Sequence, residues 1–184
     1  MKHHRILNYR LFLLSSSVVA LAIGLFMPFY IVFIQNFGGS IQSFGLAIGL
    51  MAIAESVTAY FVGKHSDLLG RKTFLVIAEF STAAIIIAYT LITTLTQLYV
   101  LQIINGVIQA MEGTMVATLL ADVTVKETRG TDIGKYRATT GIIAGLAMIA
   151  GGYIVGALGI NIIFYITAAL MCISGLVVLQ IKEM

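Results

Sequence analysis

The chain has 184 residues, of which 59% are hydrophobic and only 10% charged, with a formal net charge of +3. A mean hydropathy of +1.01 excludes a water-soluble domain, and a single cysteine excludes a disulfide scaffold. What remains is an all-α membrane protein that crosses the bilayer several times.

Apolar stretches long enough to span a hydrocarbon core of roughly 30 Å fall at about 11–34, 43–62, 73–93, 98–121, 138–160 and 161–181. The first follows a basic leader, but its apolar run is too long for a secretory signal and no small-residue cleavage site follows it. It is expected to be an uncleaved helix. Ser15 to Ser17, Gly24 and Pro28 suggest either a kinked, partly polar pore-side helix or ordinary membrane-helix composition. The second stretch carries Glu55 and the pair Gly45 and Gly49, spaced for close helix approach. Between the second and third, residues 63–72 read Gly-Lys-His-Ser-Asp-Leu-Leu-Gly-Arg-Lys, a charged turn that returns the chain to the side it left. Glu79 follows about two turns after Lys72 and is expected to snorkel or to pair with a loop cation.

The fourth stretch holds the main candidates for chemistry. Gln102, Asn105, Gln109 and Glu112 are spaced to share one helical face. Such a face points either to a water-filled cavity or to a neighbouring helix that its amides bind, because lipid leaves polar groups unsatisfied. Glu112 is the most central ionisable group and the candidate for coupling or for binding a cation. Glu55 is as readily a structural partner as a functional one. Residues 122–137 form the one loop with appreciable soluble character, and Gly141 and Gly145 form a second close-approach pair in the fifth stretch. Cys172 in the sixth is expected to be an inert buried thiol.

All eleven Lys and Arg fall at the N-terminus, in the second and fourth loops or after the sixth stretch. That face is expected to be cytoplasmic. Both termini then lie inside, and the protein is expected in a plasma or inner membrane. The basic balance is thus a topology signal, with no nucleic-acid partner implied. No His lies in the expected spans, no phosphate-cradling loop is present, and neither a cofactor, a metal nor an enzymatic activity is expected.

Gly63, Asp67, Gly70, Arg71 and Lys72 follow the pattern G-x-x-x-D-x-x-G-R-K. The pattern and its place between two spans resemble the signature loop between helices two and three of the major facilitator superfamily of transporters. Gly106, Asp122, Arg129, Gly130, Gly134, Gly151 and Gly152 extend the resemblance. Two positions depart from it: Gln102 stands where the family often has an Arg implicated in proton coupling, and Ala147 to Ala150 lack the Gly and Pro of the antiporter pattern. The resemblance implies one domain over 1–184 built from two inverted three-helix repeats. It also implies a conformational latch, in which Asp67 meets a helix end of a second half and Arg71 meets Asp122. A plain topology signal is the simpler reading of the same loop.

Family members normally hold solute between two six-helix halves. The chain is accordingly expected to move a small solute by alternating access, with a second six-helix half or as a homodimer. The alternative is a truncated, transport-incompetent fragment or a structural membrane subunit.

Overall fold

The computed structural model describes residues 2–36 and 38–181, with the side chains of 2–5 and 66–69 outside that description. Seven α-helices account for almost all of it: α1 (Lys2–Phe26), α2 (Tyr30–Gln35), α3 (Ile41–Leu69), α4 (Arg71–Tyr89), α5 (Leu95–Val123), α6 (Arg129–Leu158) and α7 (Asn161–Val178). Among the described residues six segments are long and apolar enough to cross a membrane, the first formed by α1 and α2 together.

Local chemistry sets the breaks. Pro28 has no N–H to donate and its ring crowds the preceding turn, so α1 gives way to a single 3-10 turn over Met27–Phe29 before α2 resumes. Pro28 therefore shows as a short change of helix type. Gly70, at φ 89°, separates α3 from α4, and Gly159, at φ 80°, ends α6; both need the freedom of a residue without Cβ. At the start of α5, Thr94 accepts from the Gln97 N–H while the Gln97 side chain accepts from the Thr94 N–H, a capping box.

Two loop expectations change. Gly63 does not turn: α3 continues through it to Leu69, since nothing in residues 63–69 breaks a helix before Gly70. The fourth loop is also shorter than 122–137, because α5 runs to Val123 and α6 starts at Arg129, with Thr128 hydrogen-bonded to Asp132 at 2.8 Å.

The neighbour pattern has the symmetry of two three-helix units. α3 packs on α5 as α1 packs on α6, and α4 packs on α5 as α1 packs on α7, while α4 and α7 face each other. Exchanging spans one, two and three for four, five and six maps these contacts onto themselves, as an inverted repeat requires. α3 and α6 are the outer members: their most apolar windows are 11% buried, against 39–44% for the other four spans.

Close packing uses glycines other than the expected pairs. Gly106 lets α5 lie against the Met51 carbonyl and Ala54 of α3, Gly24 lets α1 lie against Ala144 of α6, and Gly175 makes room for Phe80. Gly45, Gly49, Gly141 and Gly145 face open space, with no described atom beyond their own stretch of helix within 4 Å of a Cβ placed there. Their spacing permits close approach, but among the described residues no helix takes it up.

Candidate functional site: a cavity and three rungs along α5

Short connections make consecutive spans antiparallel, so α4 and α5 run alongside one another in opposite directions and pair at three levels. At the end away from the charged loops, the Tyr89 hydroxyl donates to Gln102 Oε1 at 3.0 Å, and Gln102 Nε2 donates to the Tyr30 hydroxyl at 2.6 Å. All three side chains are buried. Around them Phe26, Phe33 and Phe164 close an aromatic cluster, with ring centroids 4.6 Å apart for Phe33 and Phe164 and 5.3 Å for Phe26 and Phe164. Gln102 thus ties α2, α4 and α5 together with both ends of its amide engaged.

At the opposite end the Arg71 guanidinium donates to the Asp122 carboxylate. Arg129 reaches back over the same helix end, bonding Thr124 Oγ1 and the Ala121 carbonyl at 3.2 Å each. Carbonyls in the last turn of a helix lack partners within it, and a guanidinium suits them. Gly63 passes α5 beside Thr114, and Lys72 sits half-buried in the first turn of α4. Asp67 belongs to the stretch whose side chains lie outside the described residues.

The middle level holds Glu79 on α4 and Glu112 on α5. Counting from Tyr89 to Glu79 and from Gln102 to Glu112 covers the same number of residues. At 1.5 Å per residue both acids lie roughly 15 Å from the outer rung. Glu79 is 2% exposed and Glu112 8%. The two carboxyls interact electrostatically with each other, Glu112 does so with Glu55 as well, and Ser174 of α7 stands beside Glu79. Neither acid forms an ion pair with a described residue. Glu79 therefore neither snorkels nor meets a loop cation: α7 covers it, and α1 lies across α7, where the Ser174 hydroxyl donates to the Ser15 carbonyl at 3.3 Å.

Between the outer and middle rungs lies a cavity of about 120 Å³. Gln102, Asn105 and Gln109 line it from α5 and Glu55 from α3, while Glu112 lies just beyond its lining. Asn105 Nδ2 approaches Met51 Sδ at 3.4 Å and Gln102 Oε1 at 3.5 Å. Phe26, Tyr30 and Tyr89 supply aromatic walls, and Thr82 and Thr167 supply hydroxyls. Glu55 is the one acidic or basic lining residue among the described residues. Such a lining can accept hydrogen bonds and hold a positive charge against carboxylate and aromatic faces.

The four-residue row on α5 is thus split by the fold, three members on the cavity and one between helices. Ser15 and Ser16 are buried away from the cavity lining, their side of α1 facing α6 and α7. Tyr30, Tyr89, Thr82 and Thr167 escaped sequence reasoning. A weak signal existed: Thr82 lies one turn from Glu79, and Thr167 seven residues before Ser174, each pair on one helical face.

Residues 12–183 match the sequence profile of the Major Facilitator Superfamily. The chain is 28% identical to the uncharacterised MFS-type transporter YitZ of Bacillus subtilis over 86% of its own length and 97% of that protein's. It is 30% identical to Multidrug resistance protein 2 of Bacillus subtilis, over 89% of this chain and 41% of that protein. With the multi-drug resistance efflux pump PmrA of Streptococcus pneumoniae it shares 26% identity, over 96% of this chain and 45% of the pump. The chain spans less than half the length of these two efflux proteins and nearly all of YitZ.

Proposed function

Because the chain belongs to the major facilitator superfamily, we propose that it moves a small solute across a membrane by alternating access, as one six-helix unit working against a second. The second unit is another copy, a separate chain or further sequence of the same protein. The observation that carries this reading is the polar row of α5 opening onto a cavity inside the bundle. Gln102, Asn105 and Gln109 bind or orient solute there, Glu55 supplies negative charge, and Glu112 behind them couples or stabilises a cation. A solute that is neutral or cationic and carries an aromatic part fits that lining.

The latch comprises Gly63, Asp67, Gly70, Arg71, Lys72, Asp122 and Arg129. In this reading the Arg71–Asp122 pair holds α4 and α5 together at the cytoplasmic face, and Asp67 is left to meet the second unit. Both termini are placed in the cytoplasm, with the protein in the plasma or inner membrane, because the basic residues gather there. Relatives named for multidrug efflux make an aromatic cation such as ethidium a suitable probe. In proteoliposomes holding the full chain and its second unit, Asn105→Leu with Gln109→Leu should slow ethidium movement at least tenfold with insertion unchanged. Movement at the wild-type rate would remove the cavity from the pathway, and no movement in the wild type would leave a structural membrane subunit as the better reading.

A further inference from the structure

We propose that Glu79 and Glu112 together bind the cation that drives the cycle, a single positive charge taken up as a proton or as sodium and reached from the cavity past Thr82 and Thr167. This rests on the transport reading above and adds to it the site at which the driving ion is held.

Four buried side-chain atoms in the described structure have no hydrogen-bond partner: Glu79 Oε2, Thr82 Oγ1, Glu112 Oε2 and Thr167 Oγ1. They lie on the three helices α4, α5 and α7, of which α5 and α7 each pack against α4. Thr82 and Thr167 line the cavity. Glu79 lies one helical turn further in on the face of Thr82, and Ser174 two turns further along the face of Thr167. Thr82, Thr167 and the two acids, with their unfilled hydrogen-bonding capacity, form a track leading inward from the cavity, with Ser174 beside its end.

The charges facing the track are one-sided. Glu55 faces it from α3, Glu79 from α4 and Glu112 from α5. Tyr136 of α6 contributes a phenol beside Ser16 of α1, and α7 contributes Ser174. No Lys, Arg or His among the described residues takes part. Two carboxylates held together inside a bilayer without a counter-charge are costly. One bound cation removes most of that cost, and it does so at the contact between α4 and α5. The same two helices carry their own cation at the charged end, where Arg71 meets Asp122. The middle rung lacks one, so occupancy there is free to change during a cycle. Any difference in affinity between two conformations then couples ion binding to the choice between them.

The test is binding to the purified full chain in nanodiscs, with no transport required. In the proton arm, infrared difference spectra on acidification should show a protonated-carboxyl band in the wild type that is lost in Glu79→Gln and in Glu112→Gln alike. In the sodium arm, replacing choline chloride by sodium chloride at constant ionic strength should raise the wild-type Tm and leave both variants unmoved. One arm positive, with the response lost in both single variants, supports the proposal and identifies the ion. No response in either arm, or a response that survives in both variants, overturns it. Should Glu112→Gln fail to fold, Glu112→Asp takes its place and should weaken the response at least tenfold in cation concentration. A purely structural pair would lower Tm equally in all salts and keep the cation response. Intact binding with no ethidium movement would contradict the transport reading alone, whereas movement without binding would contradict this one.

Discussion

The outer and middle rungs of the α4–α5 interface are built from similarly buried polar side chains and end in opposite conditions. Gln102 has both ends of its amide engaged by Tyr30 and Tyr89, whereas Glu79 and Glu112 each keep an oxygen without a partner. Within a membrane an unmet polar group has no water to fall back on. A satisfied rung therefore fixes helices, and an unsatisfied one stands ready for a ligand. The difference separates a lock from a site on one pair of helices.

The largest effect should come from moving α5 as a whole. A Cβ at Gly106 would meet the Met51 carbonyl, Ala54 and the backbone of Glu55, so Gly106→Ala should cost about 1–3 kcal/mol through overpacking. Unfolding in graded denaturant should show that loss, and the response of the middle rung to cations should fall with it. A variant as stable as wild type would mean that Gly106 does not set the position of either rung.

Removing the lock comes next. Gln102→Leu leaves the Tyr30 and Tyr89 hydroxyls without their amide partner and should lower stability by about 1–2 kcal/mol. The same unfolding experiment on Glu79→Met should show no comparable loss, since an apolar side chain of similar volume replaces an unpaired charge. Equal losses would erase the contrast between the rungs.

Part of this contrast was legible in the sequence. The six spans and the polar face of α5 follow from hydropathy and helical spacing, and Gln102, Asn105 and Gln109 do reach one cavity. The fate of Glu79 was not legible. Its distance from Lys72 suggested an escape to the loop, yet α7 and α1 lie over that face of α4, and nothing local in the sequence announces a neighbour from ninety residues away. The glycine pairs mislead for a related reason. Spacing tells that Gly45 and Gly49, or Gly141 and Gly145, permit an approach, while tertiary packing assigned the close contacts to Gly24, Gly106 and Gly175. Helix ends were missed where no breaker stands: α3 runs past Gly63 because only Gly70 takes a positive φ there.

The smallest effect on stability belongs to the charged end. Arg71 and Asp122 are partly exposed, so Arg71→Ala should cost below about 1 kcal/mol. The latch reading nevertheless expects ethidium movement to slow several-fold in proteoliposomes, with normal insertion. Unchanged movement would reduce the loop to a topology signal.

The central claim is that the middle rung couples solute movement to an ion, and its most direct test is ethidium movement in proteoliposomes under imposed proton and sodium gradients, compared between wild type and Glu112→Gln. The side chain of Gln keeps the volume and hydrogen-bonding capacity of Glu while removing its charge. The wild type should respond to one of the two gradients, and Glu112→Gln should be inserted, folded and indifferent to both. Identical gradient dependence in the two proteins would contradict the claim and leave Glu112 a packing residue on α5.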